Sequence, residues 1–246
     1  MLHRVVHLAV ELLGGEQGAR HSPPDLPAAF LSDANETLPN MSPMADRSVD
    51  AGAPGHLATT WFATLLRDGF ALTAAGSMAP FAQLGTGVLR ASLRALPLNR
   101  PIDEAIVHIM GGFAELAVHD DVHDGLPALS ALGTRLVTLS NGARVVAEQL
   151  FARAGLSSHF ERLLSVEDAG VWKPASAAYA YAAAQCAVAP GDMMLVAVHP
   201  WDIDGAGRAG LRTAWINRTG ATYPDYFRAP TLEATSLPHL AHLLAR

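Results

Sequence analysis

Two kinds of hydrophobic pattern alternate along most of the chain. Short apolar runs that end on polar or turn-forming residues are found at residues 28–32, 135–139, 163–165, 193–198 and 211–216. Longer stretches, in which apolar residues recur every three or four positions, lie between them. The short runs are typical of buried parallel strands, and the periodic stretches are typical of amphipathic helices. The pattern therefore predicts an α/β protein in which parallel strands are joined by helical crossovers.

This alternation is interrupted after the first strand by a long stretch without a convincing strand pattern. Residues 39–54 are rich in Pro, Ser and Asp, which predicts a loop. Helices are predicted at residues 56–75, 79–96 and 103–118, the last capped by Asp103. These helices indicate an insert in the α/β pattern. Beyond the insert, helices are predicted at residues 126–132, 144–154, 175–187, 202–209 and 236–244.

The predicted domain organisation follows from these elements. Residues 26–43 and 119–246 are assigned to an α/β core, and residues 44–118 to a helical domain. Residues 1–25 are interpreted as an N-terminal appendage with a short helix and a loose linker. Their apolar run is short and carries His7 and Glu11, which makes a poor signal peptide.

Composition narrows the classes of partner. Of the 246 residues, 50% are hydrophobic and 16% charged, which is typical of a folded globular chain and not of a disordered one. The net charge of −6, without a basic run, argues against binding to nucleic acid or to a membrane surface. The single cysteine, Cys186, excludes an internal disulfide and fits a reducing, cytoplasmic location. We therefore expect a small molecule as the binding partner, and the sequence leaves a homodimer open.

Polar residues directly follow several of the predicted strands. Asp33 follows the first strand, Ser140 and Asn141 follow the second, and His199 and Asp202 follow the fourth. Lys173 lies in a loop ahead of a predicted helix. Open α/β sheets bind ligands at the carboxyl ends of their strands, so one site can collect all of these side chains. The alternative for Asp33 is a turn or helix-capping residue, because Asp forms local hydrogen bonds at such positions.

With these residues in view, the chain resembles the haloacid dehalogenase (HAD) superfamily, and within it the type II 2-haloacid dehalogenase group, over roughly residues 27–246. The resemblance implies a Rossmann-like parallel-sheet core with an inserted helical cap domain that closes over the active site. It implies that Asp33 is a nucleophile, that Lys173 keeps this carboxylate ionised, and that Asp202 positions Lys173 or a water molecule. The residues expected to surround the substrate are Thr37, Asn35, Ser140, Asn141, Tyr179 and Phe62.

The resemblance places Asp33 and Thr37 in the first family motif and Asp202 in the fourth, and these two motifs also separate two reaction types. HAD phosphatases carry an acid two positions after the nucleophile and hold Mg²⁺ with further acids in the fourth motif. The corresponding positions of this chain are Asn35 and Val198, which cannot donate a catalytic proton or bind the metal through a carboxylate. A halide leaves as a stable anion without protonation, so the substitutions favour dehalogenation without metal or cofactor. A HAD phosphatase with atypical metal ligation and a non-catalytic HAD-fold binding protein remain the alternatives.

Three positions depart from the dehalogenase pattern. Phe62 stands where the resemblance implies an arginine that cradles the leaving halide, and Ala197 and His199 stand where Ser and Asn are expected. We hypothesise that a neutral His199 acts as the base that delivers water to an ester formed on Asp33. The alternative is that His199 only hydrogen-bonds a loop carbonyl ahead of Pro200.

Overall fold

The structure is a computed structural model of the protein, and it describes residues 26–246. The short helix and linker that we predicted in residues 1–25 lie outside the described residues. The described chain forms one six-stranded parallel sheet with helices packed around it, so the predicted α/β fold class is confirmed. Within residues 26–246, no helix has both the length and the apolar character needed to cross a membrane.

The strands of the sheet are ordered β3-β2-β1-β4-β5-β6. They are β1 (Ala29–Ser32), β2 (Arg135–Ser140), β3 (Arg162–Ser165), β4 (Met193–Ala197), β5 (Arg212–Ile216) and β6 (Leu232–Ala234). All residues of β1 and β4 are buried, which explains why these strands appear in the sequence as continuous apolar runs. The strand order reverses between β1 and β4, and ligands bind at such a switch point in open α/β sheets.

Helices α1 (Pro43–Asp50), α2 (Leu57–Ala74), α3 (Phe81–Leu93) and α4 (Ile102–Gly111) follow β1. A 3₁₀ turn at Gly112–Glu115 ends the series. Trp61 lies in the apolar core of this group and donates from its indole nitrogen to the carbonyl of Gly85 at 2.9 Å. The insertion begins and ends at one place, because Asn40 donates to the carbonyl of Ala117 at 2.8 Å. The predicted helical insertion after the first strand is therefore present.

The remaining helices connect or cover the strands. They are α5 (Val122–Ser130), α6 (Arg144–Arg153), α7 (Val166–Ala169), α8 (Ser176–Cys186), α9 (Pro200–Arg208) and α10 (Leu237–Leu244). The loop predicted at residues 39–54 is wrong in part, because α1 occupies its middle. Pro43 fits the first turn of α1, where a missing N–H costs no hydrogen bond, and Met44 and Ser48 are buried. The sequence pattern also missed the short elements α7 and β6.

Helix α2 contacts the loop that carries Lys173. The Trp172 ring lies against Gly69, where an added Cβ would come within 2.6 Å of ring atom Cε3. The backbone N–H of Trp172 donates to the Thr73 hydroxyl at 3.2 Å, and its indole nitrogen donates to the carbonyl of Ala79 at 3.0 Å. The insertion therefore holds the backbone immediately before Lys173.

Candidate active site

The candidate residues meet at the carboxyl ends of β1, β2 and β4. Asp33 follows β1, and its backbone N–H donates to the carbonyl of Val196 in β4 at 3.1 Å. Lys173 enters from the loop between α7 and α8, and Asp202 lies in the first turn of α9. This convergence follows from the parallel arrangement, which places the ends of successive strands at one edge.

The Asp33 carboxylate is 1% exposed and has donors on both oxygens. Its Oδ1 accepts from Lys173 Nζ at 2.8 Å and from the backbone N–H of Asn35 at 3.2 Å. Its Oδ2 accepts from the Thr37 hydroxyl at 3.3 Å and lies 3.4 Å from Nδ1 of His199. The bonds to Asn35 and Thr37 are local ones expected of a turn residue, but the contacts with Lys173 and His199 join Asp33 to distant parts of the chain. The turn alternative therefore describes only part of its environment.

Lys173 bridges two buried carboxylates. Its Nζ lies 2.8 Å from Asp33 Oδ1 and 2.7 Å from Asp202 Oδ2, and all three side chains are at most 1% exposed. Burial lowers the pKa of Lys173, but Asp202 and Asp33 outweigh it and raise this pKa above its ordinary value. Burial raises the pKa of Asp33, but the Lys173 charge and the neighbouring His199 lower it below its ordinary value. Asp33 is therefore ionised at neutral pH, as a carboxylate nucleophile must be.

Tyr179 contacts the Asp202 oxygen that does not face Lys173. Its hydroxyl donates to Asp202 Oδ1 at 2.5 Å, and its side chain is fully buried. Burial raises the pKa of Asp202, and Asp33 adds to the rise while Lys173 opposes it. The substrate contact that we predicted for Tyr179 does not fit this position, because Asp202 separates its hydroxyl from Lys173. Tyr179 instead orients the carboxylate that holds Lys173.

Ser140 and Asn141 shape the turn after β2. The Ser140 hydroxyl accepts from the backbone N–H of Gly142 at 2.8 Å and donates to the side-chain oxygen of Asn35 at 3.3 Å. The side-chain oxygen of Asn141 accepts from the backbone N–H of Lys173 at 3.0 Å. Its buried Nδ2 has no hydrogen-bond partner in the structure. Such a group is rare in folded proteins, which makes this nitrogen a candidate donor to a bound anion.

His199 lies between Asp33 and a residue that the sequence analysis missed. Its Nε2 is 2.6 Å from Oε2 of Glu36, and its Nδ1 faces Asp33. Burial lowers the pKa of His199, but the neighbouring carboxylates of Asp33 and Glu36 raise it to about 9. Our expectation of a neutral His199 is therefore wrong for the unreacted site, which holds an imidazolium at pH 7. The alternative of a contact to a loop carbonyl also fails, because both ring nitrogens face carboxylates.

Two cavities flank Asp33. The larger, of about 660 Å³, is lined by Glu36, Phe62 and His199 together with α2 and the loop after β5. The smaller, of about 220 Å³, is lined by Asn35 and Ser140 together with α3 and α6. The Phe62 ring centroid lies 6.3 Å from that of His199. Phe62 therefore lies beside His199, and its contact with substrate stays a prediction.

The residues present offer little to a metal ion. Within residues 26–246, no three His, Cys, Asp or Glu side chains form a group that could hold one. The Lys173 ammonium lies between the two carboxylates that follow β1 and β4.

Comparison with known proteins identifies the family. The family model for haloacid dehalogenase-like hydrolases matches residues 29–210. The chain therefore belongs to the haloacid dehalogenase-like hydrolase family, which confirms the resemblance found in the sequence and the prediction of a hydrolase.

Curated relatives show which proteins of this family the chain is similar to. The chain is 29% identical to (S)-2-haloacid dehalogenase H-109 of Pseudomonas putida over 77% of this chain and 80% of that protein. It is 28% identical to (S)-2-haloacid dehalogenase 1 of Pseudomonas sp. strain CBS-3 over 89% of this chain and 96% of that protein. The solved structure of a dehalogenase with an intermediate complex superposes with a TM-score of 0.83 at 27% identity. That match covers 90% of this chain and 99% of the solved chain.

Proposed function

We propose that the protein is a dehalogenase that hydrolyses a small 2-haloalkanoic acid through an ester on Asp33. The observation that carries the proposal is the buried Asp33 carboxylate, held ionised by Lys173 at 2.8 Å and backed by Asp202. The curated relatives, which are 2-haloacid dehalogenases, support the substrate class. No metal or cofactor is required by the mechanism.

In the first step, Asp33 attacks the carbon that bears the halogen. We assign the attack to Oδ2, because its nearest polar neighbours lie at 3.3 and 3.4 Å, whereas Oδ1 accepts from Lys173 at 2.8 Å. The bond from Oδ2 to carbon forms as the carbon–halogen bond breaks, and the halide leaves with the bonding electron pair. The configuration at carbon is inverted because the attack is in line.

In the second step, water attacks the carboxyl carbon of the ester. Negative charge then develops on Oδ1, where the Lys173 ammonium and the Asn35 N–H already donate. The bond from Cγ to Oδ2 breaks, so the 2-hydroxy acid leaves with the original Oδ2 and the water oxygen stays on Asp33. This arrangement resembles an oxyanion hole built around the nucleophile itself.

Small size and an anionic group are the features of the proposed substrate. The volume of the smaller cavity matches a short acid. Ser140 lines this cavity, and Asn141, whose Nδ2 has no hydrogen-bond partner, follows Ser140 in the chain. Asn35, Ser140 and Asn141 are therefore proposed to bind the substrate carboxylate or the departing halide. Asp33 itself lines neither cavity, and its neighbours Glu36 and Asn35 line the larger and the smaller one respectively.

We also propose that the helical insertion is a cap. Residues 44–118 would form the cap, and residues 26–43 and 119–246 the core. The paired entry and exit segments at Leu38–Asn40 and 117–119 support this division, because they place the two connections side by side. The homodimer and the cytoplasmic location stay predictions.

The test measures two products in one assay. The protein is incubated with chloroacetate, 2-chloropropionate and p-nitrophenyl phosphate, each with and without Mg²⁺, and free halide and phosphate are followed. Halide release without Mg²⁺ supports the proposal. Mg²⁺-dependent phosphate release without halide would instead support a phosphatase, and the absence of both products would contradict dehalogenation of these small acids.

A further inference from the structure

Glu36 occupies a backbone conformation that residues with a side chain rarely adopt. Its φ is +60°, and within residues 26–246 only Ala187 shares a positive φ among the non-glycine residues. This left-handed conformation costs free energy for residues other than Gly, Asn or Asp, and strain of this kind is concentrated at functional sites. A glycine would fit the turn better, so a role of the Glu36 side chain would account for a glutamate at this position.

The Glu36 carboxylate joins the active site to the larger cavity. Its Oε2 lies 2.6 Å from Nε2 of His199, and its side chain is 39% exposed. Nε2 of His119 lies 3.0 Å from the Glu36 carbonyl oxygen, which ties down the turn. On the other side of the imidazole, Nδ1 is buried 3.4 Å from Asp33 Oδ2 without a hydrogen bond of good geometry. A continuous path of titratable groups therefore runs from Asp33 to solvent.

We propose that Glu36 positions His199 as the base for hydrolysis of the Asp33 ester, forming a nucleophile–histidine–carboxylate relay on this fold. The proposal rests on the proposed function and names the residues that complete its second step. In this relay Nδ1 of His199 faces the attacking water, and Glu36 holds Nε2 and fixes the ring. Ring contacts with Trp201 on one side and Phe62 on another restrict the imidazole further.

The charge on Asp33 determines at which step His199 can act as a base. Before reaction, His199 faces two carboxylates, Asp33 and Glu36, and its pKa of about 9 keeps it protonated. Alkylation removes the charge of Asp33, so only Glu36 opposes the effect of burial, and the pKa of His199 falls. Lys173, which lies beyond Asp33, also loses a partner and lowers the pKa of His199 further. The imidazolium then releases its Nδ1 proton to solvent, keeps the Nε2 proton donated to Glu36, and becomes a base at Nδ1.

The proton balance of hydrolysis is complete with these groups. Water loses one proton to Nδ1 as its oxygen bonds to Cγ, and the Cγ–Oδ2 bond then breaks. The departing alkoxide takes the proton back from Nδ1 and leaves as the 2-hydroxy acid. The protonated Asp33 carboxyl then ionises beside Lys173 and returns its proton to His199, so the one proton that reaches solvent over the cycle is the one that His199 released after alkylation. A role for His199 as a halide donor is disfavoured, because both of its N–H groups face carboxylates.

The test separates ester formation from ester hydrolysis in single-turnover experiments with 2-chloropropionate. Glu36→Gln keeps the size of the side chain, and Glu36→Gly also relieves the positive φ. Both variants should release about one equivalent of halide and then accumulate the Asp33 ester, which is detected by intact mass. Hydrolysis of the ester should slow by at least about 100-fold, the usual contribution of a positioned base. Asp50→Asn is the control, since Asp50 pairs with His108 at 3.0 Å within the insertion.

The pH profile distinguishes a relay from a structural role. Ester hydrolysis by the wild type should rise with pH through the pKa of His199 in the ester, and Glu36→Gln should move that limb to lower pH, because a positive charge loses its partner. Unchanged hydrolysis and pH profile in both Glu36 variants, or loss of the halide burst in folded variants, would overturn the relay. Failure of the wild type to release any halide would overturn the proposed function instead.

Discussion

Lys173 is the residue on which the charges of the site depend. One buried ammonium serves two buried carboxylates, so the site carries a net negative charge before His199 is counted. Removing one partner of a buried ion pair typically costs about 3–5 kcal/mol of stability, because it leaves an uncompensated charge. The protonated His199 restores neutrality around Asp33, which explains why its pKa is raised so far.

The most direct prediction concerns Asp33 itself. Asp33→Asn should lower halide release by at least about 1,000-fold, because an amide is a poor nucleophile of nearly the same shape. The fold should persist, since Lys173 keeps Asp202 as a partner. Steady-state halide release checks the prediction, and mass spectrometry excludes deamidation back to Asp.

Asp46→Asn is the matched control, since Asp46 is an exposed acid of α1. It should leave the rate within about twofold of wild type, as surface substitutions usually do little. Activity of Asp33→Asn above a few per cent of wild type would remove Asp33 from the mechanism.

The structure brings Asp33, Lys173, Asp202 and His199 together, and Glu36 shows what the sequence could not reveal. The motif residues were predictable because each follows a strand end or matches a family motif. The role of Glu36 depends on a turn with positive φ and on a contact to a residue 163 positions away. The sequence carried one signal for a role of Glu36, which is a long acidic side chain within a tight turn of small residues.

At the scale of elements, periodicity predicted the long helices and the central strands well. Helix α2 was expected at residues 56–75 and is found at Leu57–Ala74, because its apolar stripe is long and regular. Helix α1 was missed because its polar composition is typical of a loop, and its stability depends on packing against α2 and α4. Strand β6 was missed because three residues carry too little pattern, and only pairing with β5 defines them.

The contact between α2 and Trp172 gives a prediction for the insertion as an element. Gly69→Ala should destabilise the protein by about 1–3 kcal/mol, because the added methyl overlaps a rigid ring. It should also lower halide release, since movement of Trp172 displaces the neighbouring Lys173 from Asp33. Urea unfolding and steady-state kinetics measure the two effects.

Gly87→Ala in α3 provides the control. Gly87 is exposed within a helix, and an added Cβ would meet no atom within 4 Å. The higher helix propensity of Ala should raise stability by up to about 1 kcal/mol without changing the rate. A Gly69→Ala variant as stable and active as Gly87→Ala would contradict the proposed coupling between the insertion and the Lys173 loop.

At the scale of the whole molecule, the strand order explains why residues spread over 170 positions form one site. Strand β1 lies in the middle of the sheet, between β2 and β4, so residues that follow these three strands are neighbours. The sequence pattern predicted parallel strands, and the family resemblance was needed to predict which strands are adjacent. Nothing in local periodicity specifies strand order, because that order depends on contacts distant in sequence.

Unfolding of the whole molecule should report the unusual protonation of His199. The pKa of this group is raised from 6.5 to about 9 on folding, so the native state binds the proton more tightly than the unfolded chain. The stabilisation is fully present below pH 6.5 and is lost as pH rises through about 9. Between these values the free energy of unfolding should fall by up to about 1.4 kcal/mol per pH unit from this group alone.

Urea unfolding of wild type and His199→Gln between pH 6.5 and about 9 measures this contribution. The variant carries no titrating imidazole at this position, so its stability should fall less steeply with pH over that range. Comparing slopes removes the contributions of groups that titrate in both proteins. Asp33 contributes to stability in the acidic range instead. Its pKa is lowered in the folded state, so its stabilisation is lost as pH falls through its folded pKa. Equal slopes in the two proteins above pH 6.5 would mean that His199 is neutral in the folded site, and the electrostatic timing of the relay would then lose its basis.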